Sequence, residues 1–413
     1  MTRRVVITGL GMVNAVGHTV KSCWDNIVAG KTGIGKITRY DASGHNIQMA
    51  AEVKDWDPLQ YVENKELRRR DRYQLFAFAA ACQAMEHSGL EINDVTSPRT
   101  GVIVGSSVGG VESFVEQVKK TELAGDLRRV TPFGIPMLIV NGGSNMISIH
   151  FKATGPSYTP ASACATGSDC LGLAFDLIRL GRIDNAIAGT GDAPAIPLGL
   201  AAFDRIGAAS RDNDHPETAM RPFSKDRTGL VFGEGAAVLI LEELESAKAR
   251  GANILAELIG YGSTSDAYHV TAPDPNGIGA IRAIQQAMDD AKVTKDDIQY
   301  INAHGTATAL NDVMETKAVK SVFGDQAYNI PMSSTKSMTG HCMGMTAATE
   351  AVFCVLALQD QIAPPTINYR EPDPECDLDY VPNVARQVPM TTVMSNAFGF
   401  GGHNASLIFK KFE

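Results

Sequence analysis

The 413-residue sequence predicts an α/β fold, on three observations. Short runs rich in Val and Ile alternate with longer stretches of helical periodicity. Gly and other turn residues punctuate the boundaries between them. Apolar residues are spread from end to end, 44% hydrophobic against 20% charged, without a low-complexity tract. A chain of this length buries a substantial core, as two domains or as one large duplicated one.

The elements follow in order. "RVVITGLG" opens as a strand, and "RRRDRYQLFAFAAACQAMEHSG" is a helix that stops at its glycine. "TGVIVGSSVGG", "DNAIAGTGDA" and "AAVLILEELESA" supply further strands of the first part. The second part runs through "NILAELIGYGSTSD", the helical "GIGAIRAIQQAMDDAKV", "IQYINAHGTAT" and "TTVMSNAFGFGG". Each part also has a small-residue turn opening an apolar helix, "TPASACATGSDCLGLAFDLIRL" early and "PMSSTKSMTGHCMGMTAATEAVFCVLAL" late. That echo suggests duplication, with chance recurrence of common turns as the competing explanation. A boundary between the parts falls near 250–256, where a charged helix gives way to a strand across Gly251.

The 37 basic and 46 acidic residues give a formal charge of −9, which argues against a general nucleic-acid footprint. The N-terminal apolar run is broken by Gly9, Gly11 and Asn14 and makes a poor signal peptide. No window of eighteen or more residues is apolar enough to span a bilayer, so a cytoplasmic protein is expected. Seven scattered cysteines without a CxxC pair suit reduced thiols.

Cys164 follows "TPASA" at or just before a predicted helix. There the helix dipole and unsatisfied N–H groups favour a thiolate, the nucleophilic form. Cys170 lies six residues on, about 240 degrees around a helix, so the two thiols diverge and neither a bridge nor a shared metal is expected. Cys170 reads as packing. His304 and His341 occupy strand-to-helix loops, where catalytic groups of open α/β sheets gather, whereas His18, His45, His87, His150, His215 and His269 lack such a setting. The C-terminal "SNAFGFGGHNASLIF" is a Gly-rich loop between two strands. It fits neither Walker A nor a dinucleotide fingerprint, and reads as a plain hairpin or as backbone aimed at an oxyanion.

Taken together, "SACATG" with Cys164, "NAHGTAT" with His304, "SSTKSMTGH" with Lys336 and His341, and "NAFGFGGHN" with Phe400 resemble the β-ketoacyl-acyl carrier protein synthases. The spacing is most similar to the type II condensing enzyme of bacterial fatty acid synthesis. The resemblance implies a thiolase-like duplicated fold of five αβαβα layers, with halves at 1–253 and 254–413, usually as a homodimer. It implies decarboxylative condensation of an acyl group on Cys164 with malonyl-acyl carrier protein. No metal or cofactor is expected beyond the carrier's phosphopantetheine arm, and neither nucleic acid nor membrane is a partner.

By the same resemblance, His304 and His341 stabilise the enolate, and the N–H groups of Cys164 and Phe400 form a second oxyanion hole. Lys336 and Glu315 form a supporting charged pair, and Glu350 organises buried water or ions. Thr306 and Thr308 hold the phosphopantetheine arm. Phe400 gates an acyl pocket of Val108, Phe133, Gly134, Phe203 and Phe398, with Val108 at its floor near the dimer interface. Lys65, Arg68, Arg69, Arg70, Arg128, Arg129 and Arg205 dock the acidic carrier. The alternatives are a ketosynthase of a type II polyketide or polyene pathway, a non-catalytic chain-length partner, which Cys164 disfavours, and a thiolase, which lacks its second cysteine here.

Overall fold

The computed structural model describes residues 3–413. Ten strands carry the architecture: β1 Val5–Asn14, β2 Thr100–Gly105, β3 Ser157–Tyr158, β4 Asn185–Asp192, β5 Gly235–Glu243, β6 Ala256–Ser265, β7 Tyr300–Asn302, β8 Met332–Ser333, β9 Thr392–Gly399 and β10 His403–Lys410. The main helices are α1 Arg72–Ser88, α2 Gly142–Phe151, α3 Thr166–Arg179, α4 Ile278–Ala291, α5 Ala309–Phe323 and α6 Met345–Asp360.

Hydrogen bonding orders the first five strands β3-β2-β4-β5-β1 and the last five β8-β7-β9-β10-β6. The directions repeat as well. β1–β5 and β5–β4 are antiparallel while β4–β2 and β2–β3 are parallel, and the same sequence of relations links β6, β10, β9, β7 and β8. The duplication suggested by the two small-residue turns is therefore real at the level of topology. Among the described residues only three pairs, Val5–Ile7 with Leu258–Ala256, join the two sets of strands.

Five layers result. Helix α1 packs on β1, β5 and β4, and α2 packs on α1 and β2. On the far side, α4 packs on β6 and β10, with α5 against α4. Between the halves lie α3 and α6, which touch each other and strands of both. The sequence explains this placement. Helix α6, "MTAATEAVFCVLALQD", is buried on almost every face, as a middle-layer helix must be. Helix α1 is started by the Asp71–Gln74 capping box and ended by Gly89 at φ 60°. Its alanines let β1 come so close that a Cβ at Gly11 would lie 1.9 Å from the carbonyl oxygen of Ala80. Side-chain bulk at Gly11 is therefore excluded by backbone.

The two-residue strands β3 and β8 were not visible as sequence patterns, being too short to show alternation. No helix among the described residues is long and apolar enough to cross a membrane.

Candidate active site

The site forms where the middle helices begin. Cys164 sits in a single turn, Ala163–Ala165, directly before α3. Ala163 takes φ +51°, a conformation uncommon for a residue with a Cβ, and it turns the thiol out of the chain's path. The turn is held from both sides. Thr166 Oγ1 accepts the N–H of Ser162 at 2.9 Å and donates to the Ala163 carbonyl at 2.7 Å. The Ser162 hydroxyl donates to Asp169, whose other oxygen accepts the Tyr261 hydroxyl of β6 at 2.6 Å.

Cys170 behaves as packing. It is fully buried in the central core, and its sulfur would lie 2.8 Å from a Cβ at Gly105. Both cysteines are free thiols.

The second half delivers the rest. His304 follows β7 by two residues, and Glu315 of α5 clamps it from behind. The two carboxylate oxygens accept the N–H of His304 at 2.8 Å and of Gly305 at 2.7 Å. His341 lies four residues before α6 rather than at its start, in a loop tied to the first half. There Gly344 O accepts the N–H of Gly167, and Asp192 at the end of β4 accepts the N–H of Met345 at 3.1 Å. The thiol and one ring nitrogen from each histidine all lie within 4.8 Å of one another. The imidazole planes are nearly perpendicular, at 86°.

The proton on His341 can be placed. Thr346 Oγ1 lies 3.1 Å from Nδ1 and also accepts the N–H of Cys342 at 2.8 Å. Its own proton has no other acceptor among the described residues, so it goes to Nδ1 and leaves the ring proton on Nε2. Burial, with the Lys336 charge adding to it, holds both histidines well below their ordinary pKa. They are neutral near pH 7.

Burial pushes the Cys164 thiol up to about 11, against the Phe400 N–H, the Lys336 charge and its own N–H. The thiolate expected from the helix terminus is thus not the resting form, because desolvation outweighs the donors. Those donors are nevertheless where an oxyanion would need them. Phe400 approaches because Gly399 has no side chain. A Cβ there would lie 2.9 Å from the Cys164 nitrogen and 3.0 Å from the Ser162 carbonyl oxygen. The Phe400 ring stacks on Phe203 at 5.4 Å and 11°, and Phe398 meets His304 edge-on at 5.8 Å.

The expected Lys336–Glu315 pair does not form. Lys336 Nζ donates to Glu350 Oε1 at 2.6 Å, both side chains buried, while Glu315 is occupied by backbone N–H groups. Burial pushes Glu315 up to about 8 and Glu350 up to about 7, in each case opposed by Lys336. Glu350 Oε2 has no hydrogen-bond partner, nor do Asn302 Oδ1 and Ser395 Oγ, so polar atoms behind the histidines lack protein partners.

A cleft of about 220 Å³ reaches the thiol, and Phe203, Phe398, Phe400, Thr306 and Thr308 are among the residues that line it. The two threonine hydroxyls lie 2.9 Å apart. Val108, Phe133 and Gly134 do not line this cleft. In the single chain they lie elsewhere, Val108 40% exposed and Phe133 under the Arg69 guanidinium at 5.0 Å. The basic set is also less uniform than expected. Lys65 pairs with Glu63, Arg69 and Arg70 with Glu66, and Arg128 with Asp126. Among the described residues Arg68, Arg129 and Arg205 make no ion pair, and the helix carrying Arg205 also places Phe203 and Ile206 on the cleft.

The structure adds residues that motif reading missed. Asp192 accepts from Ser106 Oγ at 2.6 Å and from Ser107 as well as from Met345, and Asp266 and Asn404 line the cleft 2.7 Å apart. A carboxylate ending the otherwise apolar "NAIAGTGD" was the available signal for Asp192.

Comparison with known proteins agrees with this geometry. Residues 2–247 match the β-ketoacyl synthase N-terminal domain and residues 255–370 the C-terminal domain. The chain is 48% identical over 411 residues to 3-oxoacyl-[acyl-carrier-protein] synthase 2 of Staphylococcus aureus (strain N315), covering 100% of this chain and 99% of that protein. It is 47% identical over 411 residues to the protein of the same name from Synechocystis sp., with the same coverage. Among solved structures, a type II polyketide acyl-carrier protein in complex with its ketosynthase bound to the hexaketide has a TM-score of 0.93 at 34% identity, each chain fully covered. With two domain models matching along the chain and full-length similarity of this degree, the chain belongs to the β-ketoacyl synthase family.

Proposed function

We propose that this chain is the 3-oxoacyl-acyl carrier protein synthase of fatty acid elongation. It joins an acyl group held on Cys164 to malonyl-acyl carrier protein, releasing CO2. The observation that carries the reading is the convergence of one thiol and two neutral imidazoles at the end of an apolar cleft.

Cys164 attacks the acyl-carrier thioester, and its proton leaves with the pantetheine thiol. The N–H groups of Cys164 and Phe400 take the oxyanion of that tetrahedral intermediate. Malonyl-carrier protein then enters past Thr306 and Thr308. Loss of CO2 leaves its electron pair as an enolate, stabilised by N–H groups of His304 and His341. The enolate carbon attacks the acyl carbonyl, forming the C–C bond and expelling the Cys164 thiolate, which takes up one proton from solvent.

Neutral histidines suit this role, since each donates without surrendering a full charge. Lys336 and Glu350 support the imidazoles from behind, Glu315 fixes the backbone of His304, and no cofactor enters. Phe400, held on Phe203, is placed to gate the acyl end.

The acidic carrier protein is the proposed partner, with Arg68, Arg129 and Arg205 as its unpaired contacts. A homodimer is supported by the exposed apolar side chains that recur between residues 108 and 158, a stretch that ends in the short edge strand β3. They include Val108, Phe114, Ile135, Ile149 and Tyr158. A second copy covering them would also enclose Val108, Phe133 and Gly134 as part of an acyl tunnel. The polyketide alternative shares the chemistry and differs in the chain accepted.

Mass spectrometry after incubation with acyl-carrier thioesters tests the assignment. Acyl mass on Cys164 from saturated chains of fatty acid length is the expected result. Acylation of Cys170, or refusal of those chains, would overturn it.

A further inference from the structure

Cys164, His304 and His341 are also a donor set of another kind. A thiol and two imidazoles are borderline-to-soft ligands, the set that selects zinc over magnesium or calcium. Zinc bonds of about 2.3 Å to sulfur and 2.0 Å to nitrogen place tetrahedral ligand atoms roughly 3.3–3.5 Å apart. The three atoms already lie within 4.8 Å of one another, so side-chain rotations of about 1 Å close the set.

We propose that the unacylated site takes a Zn2+ ion as a reversible inhibitory ligand. Cys164 Sγ and one ring nitrogen from each of His304 and His341 bind it, and its fourth position faces the cleft. The inference concerns regulation of the condensation site and rests on Cys164 being the acyl carrier.

The surroundings support the ion. Zinc displaces one proton from the thiol, and no electron moves: the S–H bond breaks, the S–Zn bond forms, and the proton goes to solvent. Each imidazole offers one ring nitrogen to the set, and His304 Nδ1 has no hydrogen-bond partner among the described residues. Binding through His341 Nε2 requires its proton on Nδ1, and Thr346 Oγ1 can receive it. That oxygen holds one lone pair for Cys342 and turns the other to the ring by rotating its own proton away, so zinc binding costs the hydrogen bond that this hydroxyl donates in the metal-free site. The nearest cation, Lys336, is neutralised by Glu350 at 2.6 Å, and Glu315 and Asp192 add buried carboxyl groups near the site. Acylation converts the thiol to a thioester and removes the strongest donor, so metal and acyl group exclude each other.

Cobalt(II) serves as the spectroscopic probe. The full chain, stripped with a chelator, is titrated with Co2+ and then with Zn2+. One equivalent of Co2+ should give a thiolate-to-cobalt charge-transfer band and tetrahedral visible bands, bleached by Zn2+ and absent from protein acylated beforehand. The Cys164→Ser variant, close in volume, should keep its circular dichroism and lose the charge-transfer band. The His341→Asn variant should weaken binding. Condensation should stop at one equivalent of Zn2+ and return with chelator. Absence of the band in the unmodified chain, or its survival in Cys164→Ser or in acylated protein, overturns the proposal. Because the band is read without turnover, a failure of zinc binding is distinguishable from a failure of the condensation reading.

Discussion

Lys336 Nζ lies 2.6 Å from Glu350 Oε1, and neither side chain reaches solvent. The pair joins the short helix Lys336–Thr339 to α6 immediately behind both histidines. Removing one partner leaves a buried uncompensated charge, which typically costs about 3–5 kcal/mol. Lys336→Ala should therefore lower the urea midpoint sharply, while the double change Lys336→Met with Glu350→Leu should recover much of the loss. Equal destabilisation by the single and double variants would contradict this account.

The two half-reactions should separate by residue. His341→Asn removes one donor to the enolate oxygen and should slow malonyl decarboxylation on the order of 100 to 1000-fold. Cys164 acylation, measured by intact mass, should stay near its original rate. Cys164→Ala should show the reverse pattern.

Gly399→Ala tests the approach of Phe400. The added carbon would meet backbone atoms at 2.9 and 3.0 Å, which cannot rotate away. The Phe400 N–H must then retreat from the thiol, and a displacement of about 1 Å costs on the order of 100-fold in rate. Acylation should fall by that amount with substrate affinity little changed.

Acid should expose the two imidazoles. Both are held well below 6.5 in the fold, so below pH 6.5 the unfolded chain binds protons that the folded chain does not. Their contribution to stability is complete above pH 6.5 and is lost as pH falls, at about 1.4 kcal/mol per pH unit for each. Glu315 and Glu350 oppose them. Raised to about 8 and about 7, their contribution is complete below 4.5 and is lost as pH rises through those values. Asp192 and Asp312, each pushed by burial up to about 6, act in the same sense as the two glutamates, so the unmodified chain should gain stability on acidification between about pH 6 and 4.5. His341→Asn should remove one proton from the balance, and its stability relative to the unmodified chain should rise by about 1.4 kcal/mol for each unit of acidification. Denaturant titrations at pH 5.0, 5.5 and 6.0 would measure it, and parallel curves would refute it.

What sequence conveyed and what it withheld divide on physical lines. Cys164, His304, His341 and Phe400 were legible because each lies in a turn whose small residues serve local backbone geometry, and local geometry is written in consecutive letters. The partner of Lys336 was not legible. Glu315 and Glu350 both lie on helices after the histidine loops, and which one reaches the ammonium depends on how α5 and α6 pack. Val108, Phe133 and Gly134 do not meet Cys164 in one cleft for a related reason, because which residues share a cleft is set by tertiary packing. The resting thiol was misjudged since a helix terminus is visible in sequence while the depth of burial is not.

The narrow seam between the strand sets has a mechanical meaning. The thiol belongs to one half and the two imidazoles to the other, and among the described residues only Val5–Ile7 with Leu258–Ala256 pair strands across the join. Sliding that seam by one residue would move the halves about 3.3 Å, most of the 4.8 Å that spans the three reacting groups. The chain thus cannot tolerate error in how its two copies are clamped. The alignment of α3 on α6 acts as the gauge that sets the gap between thiol and donors.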